Sequence, residues 1–456
     1  MKLKILLVEP NYRSKFPPLG LMRISTFHKD RGDNVQFARG TEKEIKNVQW
    51  DRIYISSLFT YDLPITVKTI NYYSNSVGNP AEEIIVGGIG ATLIPEYIEE
   101  NSECKVITGP LDKPNKLGFD EEPIADLIPD YDMISSVDYN YKPEDAYFAR
   151  VSIGCIRKCK FCAVPILEPH FGFLQGISEQ VNEVIKKFGE KKDLIILDNN
   201  ILALPNIIQV LRDIKDLGFE RGAKFNRKLR FVDFNQGIDA RLISTDIAKE
   251  LGKLNLRPIR LAFDDLSYEK YYRKAINLLQ DQGFRYFTTY VMFNFNDTPR
   301  EFYERLRINI DLSKQHNIKI TSFPMKFVPI VNTNRYHISR NWNWKFLRGI
   351  QCILNATHGI VSPLGDFFNL AFGKTYEEFI QIVSMPDNYI IYRKKFEYQA
   401  ELWKNSFSKL NIDELNDLHK IFDFHHHNAF KFKTKNEKID NLLDFYVGRG
   451  IEFPNK

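Results

Sequence analysis

Three of the five cysteines, Cys155, Cys159 and Cys162, stand together in the pattern CxxxCxxC. A loop this short can bring three thiolates onto one small metal centre. Three thiolates are one too few for a closed structural zinc site, whereas on a four-iron cluster they leave one iron open to a ligand from outside the protein. An amine and a carboxylate can chelate that iron, and an electron from the cluster can then break a carbon–sulfur bond in a bound sulfonium. The spacing therefore predicts an open [4Fe-4S] cluster, with Phe161 shielding the site and packing against the ligand.

Two other uses of the same cysteines stay open at this point. His170 could supply the fourth ligand of a zinc ion, and Cys104 or Cys352 could complete a closed electron-transfer cluster. Arg157 lies between the first two cysteines and places positive charge where it would stabilise thiolates. A large chain with only five cysteines suits a reducing compartment, where a tight group of cysteines binds metal more often than it forms disulfides.

The cysteines follow a predicted strand in a region of alternating strand and helix patterns. Over residues 148–334 we predict a partial (β/α)6 TIM-like barrel, because six strands are too few to close an eight-stranded one. Active sites of barrels lie at the carboxyl ends of the strands, which puts the cysteine loop, Asp198–Asn200, Asn235–Arg241 and Asp264-Asp265 at one rim. The strands are predicted at Ala149–Ile153, Leu194–Leu197, Arg230–Asn235, Arg260–Phe263, Phe287–Phe293 and Ile320–Pro324.

A separate α/β domain is predicted before the barrel, over residues 1–110. Its short apolar runs alternate with helical segments, which implies parallel pairing and a doubly wound sheet. Ligands bind such sheets where the strand order reverses, and the turn Gly87-Gly88 marks one strand end. Residues 111–147, acidic and rich in proline, indicate a linker, and residues 335–456 a helical C-terminal region. The strands are predicted at Lys4–Val8, Val35–Phe37, Arg52–Ser56, Ile84–Val86 and Lys105–Thr108.

Composition narrows the classes of protein that the chain can belong to. Its 456 residues are 43% hydrophobic and 27% charged, which is ordinary for a globular protein and excludes intrinsic disorder. The net charge of +5 is too small to indicate a nucleic-acid partner. No apolar run approaches the roughly 20 residues that span a bilayer, and the amino terminus lacks a signal-peptide pattern, so we expect a cytoplasmic protein. The internal run His425–His427 is expected at the surface.

The cysteine pattern at the first strand of a partial barrel resembles the radical S-adenosylmethionine (SAM) superfamily. The preceding domain is similar to that of the subgroup with a cobalamin-binding domain. PPLGLMRISTFHKDRGDNV (residues 17–35) matches the start of its first helix, and DRIYIS, VGGIGAT and DLIPDYDMI fit later segments, so that the resemblance covers residues 1–330. It implies an enzyme that uses a [4Fe-4S] cluster to cleave SAM reductively. It also implies a flavodoxin- or ferredoxin-type reductant and a substrate that the sequence does not identify.

The resemblance also assigns individual residues. It makes Cys155, Cys159 and Cys162 the cluster ligands. It places LDNN near the amino group of the sulfonium and NQGIDARL where contacts to the ribose and carboxylate arise; the candidates are Asp198, Asn199, Asn200, Gln236, Asp239 and Arg241. From the residues alone, Asp239 and Arg241 could equally form an ion pair at a strand end.

Several departures from the family pattern leave cobalamin open. The Asp-x-His-x-x-Gly signature is absent, Gly90 stands where relatives often have histidine, and His28 lies within a helix at the wrong place for a ligand to cobalt. FNFNDTPREF replaces a glycine-proline-glycine turn. If cobalamin binds, the expected reaction is methyl transfer to an unactivated carbon. The alternatives are a non-catalytic module ordered by an iron–sulfur cluster or zinc, and an RNA-modifying methylthiotransferase, which the shortage of further cysteines disfavours.

Overall fold

The computed structural model describes residues 2–424 and 434–447, so the prediction for His425–His427 lies outside the described residues. The chain divides into two compact units. The first comprises Met1–Ile259 and Val328–Tyr336, and the second Arg260–Phe327 and His337–Lys456. No helix in the described part is both long and apolar enough to cross a membrane.

The first unit begins with a five-stranded parallel sheet. Its strands are β1 (Lys4–Glu9), β2 (Asn34–Arg39), β3 (Arg52–Ser57), β4 (Ile84–Gly88) and β5 (Lys105–Val106). They lie in the order β2-β1-β3-β4-β5, so the order reverses beside β1. The connecting helices are α1 (Leu19–Asp30), α2 (Lys43–Lys46), α3 (Leu63–Tyr73), α4 (Pro80–Glu83), α5 (Ile89–Leu93) and α6 (Pro95–Asn101). The expectation of a parallel α/β sheet is confirmed.

The apolar runs of these strands explain why they lie in the middle of the domain. Leu6, Val8, Ile53 and Ile55 are fully or almost fully buried in one hydrophobic cluster. Strands that are covered by helices on both faces need such continuous apolar runs rather than an alternating pattern.

The predicted linker packs onto helix α1. Thr26 Oγ1 donates a hydrogen bond to the Ile128 carbonyl at 2.7 Å, and Ser25 Oγ donates to Asp130 Oδ2 at 2.6 Å. Two short 3-10 turns, Ile124–Asp126 and Met133–Ser136, are its only regular elements in the described part of the chain. This segment therefore forms one side of the α/β domain.

The rest of the first unit supplies the cysteine loop. Its strands are β6 (Ala146–Ala149), β7 (Ser152–Ile153), β8 (Gly172–Phe173), β9 (Asp193–Ile196), β10 (Lys224–Phe225), β11 (Lys228–Leu229) and β12 (Val232–Phe234). β6, β9 and β12 form a parallel sheet in the order β12-β9-β6, and β7 pairs antiparallel with β8. The helices are α7 (Val164–Leu167), α8 (Ile177–Phe188), α9 (Ile207–Ile214) and α10 (Thr245–Leu251).

One predicted strand boundary is wrong. The sequence predicts a single strand over Ala149–Ile153, whereas β6 ends at Ala149 and Ser152–Ile153 belongs to the separate two-stranded ribbon. The physical reason is that the carboxylate of Asp198 accepts the backbone N–H groups of Val151 and Ser152, which a neighbouring strand would otherwise bind.

The second unit contains three more strands and most of the helices. The strands β13 (Ile259–Ala262), β14 (Tyr286–Phe293) and β15 (Lys319–Lys326) form a sheet in that order. The six strands predicted for a barrel thus lie in two three-stranded sheets. The helices are α11 (Glu269–Asp281), α12 (Pro299–Gln315), α13 (Trp344–Ala356), α14 (Gly365–Phe372), α15 (Tyr376–Ser384), α16 (Asp387–Ile391), α17 (Glu397–Phe407), α18 (Ile412–Phe424) and α19 (Glu437–Val447).

Candidate functional site

The three clustered cysteines lie on one loop between β7 and α7. Each thiol is partly exposed. The Cys162 N–H donates to the Cys159 carbonyl at 3.1 Å, which makes a turn between these two residues. The backbone N–H of Arg157 donates to Cys155 Sγ at 3.3 Å. Hydrogen bonds of this kind stabilise the negative charge of a thiolate and tune a cluster bound to it.

Gly154 fixes the start of this loop. Its φ is +71°, and a Cβ added there would lie 2.2 Å from the carbonyl oxygen of His170. Only glycine avoids both the left-handed backbone penalty and this clash. The N–H of Gly154 donates to Glu168 Oε2 at 2.8 Å, so the backbone before the first cysteine is held by a side chain that follows the last one.

Glu168 ties the loop to the neighbouring strands. It also accepts a hydrogen bond from Asn199 Nδ2 at 2.9 Å and forms an ion pair with Arg150. Glu168 and Arg150 were not identified from the sequence, because they are 18 residues apart and match no motif. The one feature of the sequence that could have identified them is that each is a charged residue next to the segment that contains the three cysteines.

Asp198, a predicted cofactor contact, is almost fully buried. Its carboxylate accepts from the N–H of Val151 at 3.0 Å and from the N–H and hydroxyl of Ser152. Burial raises the pKa of Asp198, and these hydrogen bonds oppose the rise. The contacts that the structure gives Asp198 position the segment before the cysteine loop.

Asn200, Asp239 and the two arginines near them form a polar network around Cys155. Asn200 Nδ2 donates to Cys155 Sγ at 3.4 Å. Asp239 forms ion pairs with Arg241 at 2.7 Å and with Arg157 at 3.0 Å. Burial opposes ionisation of Asp239, but the hydrogen bonds from the two arginines outweigh it and hold its pKa below the usual value. The ion pair considered from the sequence is therefore present, and it lies beside the first cysteine.

One polar atom beside Cys155 fits a bound ligand. Asn200 Oδ1 is buried without a hydrogen-bond partner in the described structure, and such an acceptor is costly unless a ligand donates to it. The amino group of a bound ligand has the required chemistry. Among the described residues, no three His, Cys, Asp or Glu side chains lie close enough to hold one metal ion. This finding applies to Cys155, Cys159 and Cys162 as much as to His170, which is exposed, so it favours neither the zinc site nor the cluster.

The remaining cysteines take no part in the loop. Cys352 is fully buried in the hydrophobic core of the second unit, and burial raises the pKa of its thiol to about 11. Cys104 packs against the core of the N-terminal sheet. Both environments suit a thiol that serves as a small apolar side chain, so a closed cluster that uses either one gains no support.

A cleft of about 590 Å³ lies beside the cysteine loop within the first unit. One wall is formed by residues that follow Cys162, including Val164 and Leu167, and by Asn199 and Gln236 at the carboxyl ends of β9 and β12. Two of the predicted cofactor contacts, Asn199 and Gln236, therefore line it. Phe161, on the loop itself, is partly exposed, and its predicted packing against a ligand stays a prediction.

The carboxyl edge of the N-terminal sheet also lines the cleft. Gly88, Ile89 and Gly109 lie there, and a second cavity of about 230 Å³ continues between this edge and helix α1. Gly90 is buried, and a Cβ at its position would lie 2.4 Å from Ser57 Oγ. A larger side chain at residue 90 therefore requires at least the Ser57 side chain to move.

Other candidate residues serve the fold. His28 is buried and hydrogen bonded to Asp33 at 2.7 Å and Tyr54 at 3.0 Å, so both ring nitrogens are engaged. In the second unit, Asp264 accepts from the Met292 N–H at 2.9 Å, and Asp265 caps a 3-10 turn. These contacts agree with structural roles.

Comparison with known sequences is uninformative, because no protein-family model and no curated protein matches the chain. Comparison with solved structures shows that the fold is that of cobalamin-dependent radical SAM enzymes, as the resemblance in the sequence implied. One such structure is the radical SAM methyltransferase TsrM from Kitasatospora setae. It aligns with a TM-score of 0.53 over 77% of this chain and 78% of that chain, at 14% identity.

A second solved structure is the cobalamin-dependent radical SAM enzyme OxsB, with a TM-score of 0.50 over 98% of this chain and 79% of that chain, at 13% identity. The TsrM structure holds cobalamin and a [4Fe-4S] cluster, another structure of TsrM holds tryptophan and a SAM analogue, and OxsB holds aqua-cobalamin and SAM. These are the three cofactors that the sequence resemblance named. At such low identity the likeness concerns the fold.

Proposed function

We propose that the chain is a radical SAM enzyme whose [4Fe-4S] cluster is held by Cys155, Cys159 and Cys162. The observation that carries the proposal is the cysteine loop itself. It bears three thiols and no fourth cysteine, its backbone N–H and the Asn200 amide donate to Cys155 Sγ, and a cleft adjoins it. When bound, the cluster and SAM would supply one-electron cleavage of a carbon–sulfur bond, and cobalamin would supply a methyl carrier.

The residues around the loop have distinct tasks in this proposal. Asn200 offers its unpartnered Oδ1 to the amino group of SAM. Asn199 and Gln236 present polar groups to the cleft at the carboxyl ends of β9 and β12. Glu168 and Asp198 both hold the backbone that precedes Cys155, at Gly154 and Val151. The apolar wall, which includes Val164 and Leu167, excludes water, as radical chemistry requires.

The cleft supports cobalamin as the further cofactor. It extends from the cysteine loop to the carboxyl edge of a parallel sheet, where doubly wound sheets bind their ligands. The 230 Å³ cavity that continues from it is mainly apolar, with Leu21, Ile24, Ile85 and Leu117 in its lining. If cobalamin binds, these apolar residues would supply contacts to its apolar parts. Methyl transfer to an unactivated carbon is then the expected reaction.

Anaerobic reconstitution of the full chain with iron and sulfide tests the proposal. We expect about four iron and four sulfide per chain and cleavage of SAM under reducing conditions. Deoxyadenosine among the products indicates hydrogen abstraction, and adenosylhomocysteine indicates methyl donation. Hydroxocobalamin is added in a parallel sample, and its retention through gel filtration reports on binding.

Two cysteine variants serve as a matched pair in this experiment. Cys159→Ala should lose the cluster absorbance and all cleavage of SAM, whereas Cys104→Ala should retain both, because Cys104 packs against the sheet core. Normal turnover by Cys159→Ala, or wild-type protein that contains zinc and no sulfide, would exclude the proposed function.

A further inference from the structure

Two arginines lie where the cleft and the apolar cavity meet. Arg23 on helix α1 and Arg150, directly after β6, line both the 590 Å³ cleft and the 230 Å³ cavity. The two spaces also share Gly88, Gly109 and Pro110 in their linings, so they adjoin, and a ligand placed at this junction can contact both. A ligand of that kind passes directly beside both guanidinium groups.

Arg23 has little in the protein to balance its charge. Its Nε donates to the Leu127 carbonyl at 3.0 Å, which is a neutral partner. The acidic side chain of Asp130 is already paired with Lys29 at 2.6 Å. Desolvation, together with repulsion from Arg150, lowers the pKa of Arg23 to about 10, although attraction to the carboxylate of Asp126 opposes part of this change. Arg23 forms no ion pair in the described structure, and a partly buried guanidinium is stabilised when a ligand supplies a direct anionic partner.

The surroundings of Arg23 add to the positive character of this place. The first turn of α1 contains no acidic residue, and Pro18 at the N-cap provides no side-chain hydrogen bond to it. Arg150 pairs with Glu168 through one nitrogen, and its Nε donates to the Ser152 carbonyl at 3.0 Å. Glu168 thus pairs directly with Arg150, whereas the carboxylate of Asp126 attracts Arg23 without forming an ion pair with it.

We infer that Arg23 and Arg150 form an anion-binding subsite for a ligand that carries a phosphate or carboxylate group next to an apolar portion. The anion lies between the two arginines, and the apolar portion enters the cavity that Leu21 and Ile24 line. Arg150 also positions the cysteine loop through Glu168, so a change at Arg150 would disturb the loop as well as the anion subsite. Arg23 is therefore the residue to substitute. The inference rests on the proposed function only for the source of the anion, which is either the phosphodiester of cobalamin or a carboxylate or phosphate of a substrate.

The test measures ligand binding by the chain without a cluster, so that it does not depend on the radical chemistry. Wild-type protein, Arg23→Gln, Arg23→Lys and the control Arg31→Gln are compared. Arg31 is exposed directly after the same helix and lines neither cavity. The probes are inorganic phosphate, read as a rise in melting temperature, and hydroxocobalamin and cobinamide, read as dissociation constants. Cobinamide has the same corrin ring but lacks the phosphodiester and the base.

We expect phosphate to raise the melting temperature of wild-type protein and of Arg31→Gln, to do so less for Arg23→Lys, and to have no effect on Arg23→Gln. If cobalamin supplies the anion, Arg23→Gln weakens cobalamin binding about 10- to 100-fold, the usual range for one charge-assisted hydrogen bond, and leaves cobinamide binding unchanged. If a substrate supplies it, cobalamin binding is unchanged and only the phosphate effect is lost.

Three results would overturn the anion subsite. The first is an Arg23→Gln protein that responds to phosphate and cobalamin as Arg31→Gln does. The second is an equal loss of cobalamin and cobinamide binding, which would indicate contact with the corrin ring. The third is wild-type protein that neither phosphate nor cobalamin stabilises. Loss of SAM cleavage in Cys159→Ala would be unaffected by any of these results, so the two proposals fail separately.

Discussion

Replacement of Gly154 by alanine perturbs the cysteine loop at its most constrained point. Gly154 has φ +71°, and the added Cβ would lie 2.2 Å from the His170 carbonyl oxygen and 3.0 Å from that of Glu168. The left-handed backbone costs an alanine about 1–2 kcal/mol, and overpacking against backbone atoms that have little freedom to move costs about 1–3 kcal/mol more. The β7–β8 ribbon must therefore shift. We expect this shift to break the 2.8 Å hydrogen bond from the Gly154 N–H to Glu168.

Urea unfolding of the protein without a cluster, followed by iron and sulfide analysis after reconstitution, measures both consequences. Gly154→Ala should lower the free energy of unfolding by about 2–5 kcal/mol and load much less cluster than wild type. Gly172→Ala is the matched control, because Gly172 lies in the same ribbon and no atom is within 4 Å of its added Cβ. If Gly154→Ala unfolds and loads iron as Gly172→Ala does, the loop does not depend on this geometry.

Two further predictions concern the charges around the sheet and the cluster. Burial raises the pKa of Glu9 to about 7 from 4.5, so the folded chain binds more protons than the unfolded chain between these values, and stability falls as the pH rises through this window. The free energy of unfolding of wild type relative to Glu9→Gln, from urea titrations at pH 4.5 and 7.5, should fall by up to about 3 kcal/mol, and a constant difference would refute this. Asn200→Ala removes the donor to Cys155 Sγ, worth about 1 kcal/mol, so redox titration should give a midpoint potential about 40 mV more negative. The exposed Asn206 supplies the control Asn206→Ala, and equal potentials in the two variants would contradict the role of Asn200.

The N-terminal sheet could be predicted because its signal is local. The runs that include Leu6, Val8, Ile53 and Ile55 are short and apolar, and each becomes a buried parallel strand. The cysteine spacing likewise identifies its loop without any tertiary information. The glycine directly before the first cysteine is a further local signal, because its positive φ favours glycine.

The rest of the site depends on contacts between distant residues. The end of β6 is set by Asp198, which is 47 residues from Val151 in the chain and accepts its backbone N–H. No local sequence pattern shows that a side chain takes the place of a neighbouring strand there. The contacts of Glu168 with Gly154, Asn199 and Arg150 also join residues that are far apart in the sequence. The same is true of Arg23 and Arg150, which line the same cavities. The cleft is formed by helix α1, the ends of β4, β9 and β12, and residues Val328–Ile330, which only the folded chain brings together.

The electron paramagnetic resonance spectrum of the reduced, reconstituted protein, recorded with and without SAM, measures whether one iron is open. Three thiolate ligands predict a [4Fe-4S] signal that changes when SAM is added and does not change when adenosine, which lacks the amino and carboxylate groups, is added instead. A spectrum identical with and without SAM would mean that a protein group already occupies the fourth iron, and would contradict the open cluster.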